Sequence, residues 1–220
     1  MPIQNGREAA MQALLQMEES EGYSNLILDK TLRGAGLDHR EAALASTLFY
    51  GVLEKRLVLD WLLAPYCKKP LLKLDLPVRE TLRMAVYQIY FLDRVPDSAA
   101  VNEAVNWVKG HGYARASGFV NGILRSLLRG HHTRVLPDSA DSSLWAQSLR
   151  YGIPEELLAF WDKNYGRALA GQMAVSLSQK APLFGRVNET RVTVDEFIQL
   201  AEQNGIQAHS VPSVPGAVVL

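Results

Sequence analysis

Between residues 5 and 130 the apolar side chains return at helical intervals, and no stretch shows the alternation that marks a strand. Ala9, Ala13 and Met17 stand four apart with Ala10 and Leu14 beside them, and Gly22 breaks the pattern. Leu28 and Leu32 share one side of a second segment that stops at Gly34 and Gly36. Asp38 followed by Glu41 is a capping-box pattern. It predicts a long third helix through Leu44, Leu48, Val52 and Leu59 toward Pro65. A short turn covers 68–75, and Pro77 then opens a stripe of Leu82, Ala85, Val86 and Ile89. Pro96 leads into Val101, Ala104, Val105 and Val108, ended by Gly110 and Gly112. A final helix is expected over 114–129, closed by Gly130. Such a series of helices with short connections restricts this region to a bundle.

The composition changes after the bundle. Residues 131–143 are rich in Pro, Asp, Ser and His and read as a linker, followed by short amphipathic helices over 144–149, 154–165 and 168–177. Then the period shifts. Residues 182–188 read as a strand, Thr193 and Glu196 cap a helix through Phe197, Leu200 and Ala201, and 206–211 offer a second strand. The expected fold is mainly α: a helical bundle over 1–135, linker and short helices over 136–180, and an incomplete β-α-β module over 181–220. The last residues, Pro215 to Leu220, form a bare apolar run, which suggests a piece of a longer protein.

With 23 basic and 23 acidic side chains the formal charge is zero, which excludes a wholly basic sleeve for nucleic acid. The charge is unevenly placed. Residues 1–135 carry 17 basic and 14 acidic side chains, a net of +3, and residues 136–220 carry 6 and 9, a net of −3. Between 109 and 134 there are five basic residues (Lys109, Arg115, Arg125, Arg129 and Arg134) and no acid. On a helical wheel Arg115, Gly118, Gly122, Arg125 and Arg129 fall on one face, with Phe119, Ile123 and Leu127 opposite. Glycine costs about 1 kcal/mol against alanine inside a helix, so two on an exposed face need a reason. Between arginines they let a phosphate chain approach the backbone, and the guanidinium fork suits phosphate. Asn121 at the edge of this face reads as structural, bonded to a neighbouring loop or helix end.

No enzymatic constellation stands beside these residues. The five histidines lack ligand spacing, and neither a G-x-G-x-x-G nor a Walker sequence occurs. The single cysteine, Cys67, sits beside Lys68 and Lys69, which are expected to lower its pKa somewhat, yet no partner base is identifiable. One thiol with no disulfide partner suits a reducing cytoplasm, and neither a signal core nor a membrane-length apolar run is present. By its own chemistry the chain reads as a binding module.

Four motifs in order carry a resemblance: Tyr50-Gly-Val-Leu-Glu-Lys-Arg56, Leu82-Arg-Met-Ala-Val-Tyr-Gln-Ile89, Val101-Asn-Glu-Ala-Val105 and Phe119-Val-Asn-Gly-Ile-Leu-Arg125. They resemble the helical domain shared by the antitermination factor NusB and the N-terminal part of bacterial ribosomal RNA (cytosine-5)-methyltransferases of the Sun or RsmB type. Leu149 to Pro154, Tyr165-Gly166 and Arg186-Val-Asn188 resemble the region that precedes the catalytic domain in those methyltransferases. The resemblance implies binding of small-subunit ribosomal RNA, with Arg115, Arg125, Arg129, Lys109, Arg186 and Asn188 as candidate contacts. It also implies a separate S-adenosylmethionine-dependent catalytic domain, absent from these residues, that the chain would serve. No cofactor is expected within the chain itself. Two other readings stay open: a stand-alone RNA- and protein-binding antitermination module, and a homodimer-forming structural bundle.

Overall fold

The computed structural model describes residues 3–20, 22–130, 137–138, 140–179 and 181–220. The predicted linker residues 131–136 and 139 lie outside that set. The chain divides into two compact units, 1–170 and 171–220.

The first unit is built on α1 (Gly6–Glu19), α2 (Ser24–Ala35), α3 (His39–Leu63), α4 (Leu76–Phe91), α5 (Asp97–Gly110) and α6 (Ser117–Gly130). Each predicted stripe faces a common core: Ala10 and Leu14 from α1, Leu48, Val52 and Leu59 from α3, Leu82 and Val86 from α4, Val101 and Val108 from α5, and Leu124 and Leu127 from α6. Each large aliphatic group taken from water contributes about 1.5–3 kcal/mol, which makes this core the main stabilising element. Close approach between helices is bought with glycine. A Cβ at Gly51 on α3 would stand 2.0 Å from Tyr87 Cζ, so the α4 ring rests on bare backbone. At Gly6 an added Cβ would stand 2.3 Å from the carbonyl oxygen of Glu41.

Asp38 caps α3 as expected, accepting from Glu41 N at 2.8 Å. The reciprocal half of the box is spent elsewhere, because Glu41 Oε2 accepts from Gly6 N at 2.5 Å. The unpaired N–H groups and positive dipole at the start of α1 draw that carboxylate across the bundle.

Charges also lie inside the bundle. Arg83 is 1% exposed and forks onto Asp60 at 2.7 and 2.6 Å, with a third bond of 2.6 Å to Glu80. Arg79 joins Glu80 to Glu18, and Glu18 reaches Arg56 at 2.7 Å. These contacts tie α1, α3 and α4 together with three acids and three arginines. Burial pushes the Glu80 carboxyl above its ordinary range against the pull of Arg83.

After the bundle come α7 (Leu144–Tyr151), α8 (Glu155–Tyr165) and α9 (Arg167–Ser178). The helix α7 docks on α3, where Trp145 meets Trp61 edge to face at 6.4 Å. Part of the predicted linker is held down: Arg150 donates to the carbonyls of Asp138 and Asp141, and Arg167 to that of Ser142. Among the described residues no helix is long and apolar enough to cross a membrane.

In the second unit β1 (Phe184–Arg186), α10 (Val194–Gln203), β2 (His209–Ser210) and β3 (Ala217–Val219) form a three-stranded sheet with its helix. The order is β1-β3-β2 with both pairings antiparallel, so the two predicted strands do not pair with each other. The terminal apolar run is the central strand, placing Val218 against Gly185 on one side and Ser210 on the other. The predicted strand over 206–211 shrinks because Ile206 N closes the end of α10 on Ala201 O at 2.9 Å. Thr193 and Glu196 form the expected reciprocal cap on α10.

Candidate nucleic-acid interface

A trough of about 1210 Å³ runs between α6 and the segment joining α3 to α4. Two short 3-10 turns, Ala64–Tyr66 and Leu71–Lys73, shape that segment, and Pro65 and Pro70 fit it because each fixes its own φ. The trough has an apolar floor of Leu74, Val78 and Ile123. Lys68, Lys69 and Arg115 supply positive charge against one acid, Asp75. Tyr66, Tyr113 and Phe119 supply aromatic rings, and Gly118 and Gly122 leave the α6 backbone uncovered. An added Cβ at either glycine would meet nothing within 4 Å, so the gap is open space and not a packing requirement.

Arg115, Arg125 and Arg129 are exposed, as the wheel predicts, but they are not equivalent. Arg115 lies in a 3-10 turn, Ala114–Ala116, that precedes α6 and lines the trough. Arg125 and Arg129 continue along α6 beyond it, and each is steadied by a neutral neighbour: Arg125 Nε donates to Asn121 Oδ1 at 2.9 Å and Arg129 Nη2 to Ser126 Oγ at 2.8 Å. Neutral acceptors orient a guanidinium without cancelling its charge. Asn121 therefore serves an arginine one turn on, and not the loop or helix end expected of it. Lys109 is exposed in the last turn of α5 and stands outside the trough lining.

Phe119 corrects the wheel. It was expected on the buried side with Ile123 and Leu127, yet it is 41% exposed and faces the trough. Its position lies at the boundary of the two faces, and the segment joining α3 to α4 leaves that boundary open. Lys68, Lys69, Tyr66 and Tyr113 were not legible as site residues, although the absence of acids between Asp60 and Asp75 was a usable signal. Cys67 also departs from expectation. Its thiol is pushed up, by burial first and by Asp60 second, and not lowered.

In the second unit Arg186 is exposed on the edge strand β1. Asn188 is exposed but engaged, since its Oδ1 accepts from Thr190 N at 3.2 Å and from Thr190 Oγ1 at 2.6 Å. That is an Asx turn, which shapes the backbone after β1. The structure thus gathers Arg115, Arg125 and Arg129 on one surface and leaves Arg186 and Asn188 in a separate unit.

The sequence profile of the NusB family matches residues 4–129, which hold the bundle and the trough. The chain belongs to the NusB family. Residues 153–220 match the ferredoxin-like domain of RsmF/B-like methyltransferases. A probable ribosomal RNA small subunit methyltransferase B of Bacillus subtilis is 30% identical over 97% of this chain and 47% of its own length. The protein of the same name from Synechocystis is 28% identical over 91% of this chain and 45% of its own. The chain therefore spans about half the length of the curated relatives it matches. Among solved structures, PH0851 shares the fold over 97% of this chain and 47% of its own, with a TM-score of 0.69 at 17% identity. A chain in the crystal structure of a plectonemic RNA supercoil aligns over 59% of this chain and 96% of its own, with a TM-score of 0.55 at 18% identity. The NusB-family bundle is thus followed by a small sheet module as in the methyltransferase relatives, and the helical and sheet regions read from the sequence are both present.

Proposed function

We propose that this chain is the substrate-binding portion of a cytoplasmic small-subunit ribosomal RNA cytosine-C5 methyltransferase, holding unpaired RNA for a catalytic domain outside these 220 residues. The observation that carries the reading is the trough, where cations, aromatic rings and uncovered backbone meet on one surface. Unpaired RNA is recognised by stacking its bases on aromatic rings while cations track the phosphates. The names of the relatives and the RNA in the supercoil structure agree with this partner. Phe119 and Tyr113 take the stacking role, with Arg115, Lys68 and Lys69 on the phosphates. Arg125, Arg129 and Lys109 extend the phosphate path, and Arg186, in the second unit, is a separate candidate phosphate contact. Asn188 shapes the loop beside it.

The catalytic half would bring S-adenosylmethionine. The residues present do not fit that cofactor, since no glycine-rich nucleotide loop occurs in the sequence, and no chemical step is assigned to them. The alternative of a stand-alone antitermination module explains residues 4–129 and leaves the ferredoxin-like match at 153–220 without a role.

The test is titration of an unpaired 16S ribosomal RNA fragment at several salt concentrations. Wild type should bind with a log-log salt slope that becomes shallower by about 0.7 for each phosphate contact removed. Arg115→Glu with Arg125→Glu should weaken binding at least tenfold and flatten that slope. Phe119→Ala should weaken binding about 5- to 100-fold, the scale of one lost base stack, with the slope unchanged. Equal affinity and slope in all three proteins would remove the trough as the binding surface.

A further inference from the structure

The trough that gathers cations for a phosphate chain also holds one acid, Asp75. A carboxylate repels phosphate, so its place among Lys68, Lys69 and Arg115 needs a reason. Asp75 stands at the N-cap of α4, where such a residue ordinarily bonds to the helix. Asn5, Asp38, Ser143 and Thr193 all do so, each accepting a helix N–H through its side chain. Asp75 does not. Its backbone carbonyl accepts from Arg79 N at 3.0 Å, but its side chain makes no cap bond. Pro77 in the first turn removes one of the N–H groups that a cap would use. The positive end of the α4 dipole favours a negative charge there without consuming either oxygen. Among the described residues nothing else bonds or pairs with this carboxylate, and it is exposed.

An ionised carboxylate accepts through two oxygens and donates nothing. Toward unpaired RNA it can address only N–H and O–H groups, which lie on the base edges and the ribose 2′-hydroxyl. The four bases arrange these groups differently. Guanine sets N1–H beside the N2 amino group, two parallel donors that match the two oxygens as a guanidinium fork does. Adenine and cytosine each set one amino group beside a ring nitrogen that accepts, so the second oxygen meets a lone pair. Uracil has a single N–H between two carbonyl oxygens. The rings of Tyr66, Tyr113 and Phe119 line the same trough and suit the faces of a base, which leaves its edge for the carboxylate.

We propose that Asp75 reads one guanine in the RNA held by the trough, accepting from N1–H and from the N2 amino group. Lys68, Lys69 and Arg115 hold phosphates without regard to sequence, and Asp75 gives the trough its preference. The inference rests on the reading of the trough as an RNA site.

The test is fluorescence anisotropy of labelled RNA pentamers titrated with the full chain. Each pentamer is uridine except at its centre, which is guanosine, inosine, adenosine, cytidine or uridine. The guanosine pentamer should bind about tenfold tighter than those with adenosine, cytidine or uridine. Inosine keeps N1–H and lacks the amino group, so its pentamer should fall between. Asp75→Asn keeps the shape and puts a donor where one acceptor stood. It should erase the guanosine preference and bind the all-uridine pentamer about two- to threefold tighter, because a negative charge has left the phosphate path. The side chain is exposed and makes no cap bond, so circular dichroism should show the fold unchanged. Equal affinity of the wild type for all five pentamers would overturn the role of Asp75 and leave the trough standing. So would a preference for ribose over deoxyribose pentamers that Asp75→Asn abolishes at every base, since the carboxylate would then hold the 2′-hydroxyl. No binding of any pentamer by either protein would overturn the trough as well.

Discussion

The helical unit and the sheet unit reach order by different means. In the bundle each helix brings its own apolar stripe, and the interior is also threaded by ion pairs that Arg83 anchors at 1% exposure. The sheet unit has strands of two or three residues, and its buried apolar side chains include Val187, Ala201, Ala208 and Val218. Helical stripes are local patterns that exist before packing does, whereas a strand this short is defined by the neighbour that pairs with it. The bundle should therefore be sensitive to buried charge, and the sheet to the loss of single methyl groups on its central strand.

The strongest blow to that contrast comes from Arg83→Met. It strands Glu80 and Asp60 without their shared cation and should cost about 3–5 kcal/mol, read from urea unfolding followed by helical circular dichroism. A loss below about 1 kcal/mol would mean that the apolar stripes alone hold the bundle. Val218→Ala removes two methyl-sized groups from the middle strand, and about 1.5 kcal/mol should be lost. Amide exchange should rise at β1 and β3 and stay constant in α4. Uniform exchange across both units would erase the distinction between them.

The smallest effect concerns acid. Burial raises the Glu80 carboxyl in the folded state above its unfolded value, so the folded chain takes up that proton first. Its contribution is complete below the ordinary glutamate range and is lost as pH rises through the raised value. Glu80→Gln should remove this component and flatten the stability profile on the mildly acidic side, measured as the unfolding midpoint against pH. An unchanged profile would show that the ion pairs with Arg79 and Arg83 cancel the cost of burial.

The same contrast explains what was legible. The helices could be read because Ala9, Leu14, Leu48, Leu82 and Val101 repeat within their own segments. The central strand could not, because Ala217 to Val219 takes its meaning from partners more than thirty residues back at Phe184 to Arg186. At the site, the arginines were visible as an acid-free run, and the open glycines were visible as a helix cost without a packing gain. Phe119 was misplaced because a wheel assigns faces from one helix alone, while its exposure is decided by where the segment between α3 and α4 ends.

The bond between Glu41 and Gly6 has a consequence for synthesis of the chain. The two residues are 35 positions apart, so α1 begins life with its first turn unfinished. At about 5–20 residues per second, roughly 2–7 s pass before the carboxylate that completes it has been made. Throughout that interval Asn5 can already cap the helix, accepting from Glu8 N at 3.0 Å, while the Gly6 N–H has only water to meet. The start of α3 thus supplies the last partner of the first turn of α1 only once the ribosome has written it.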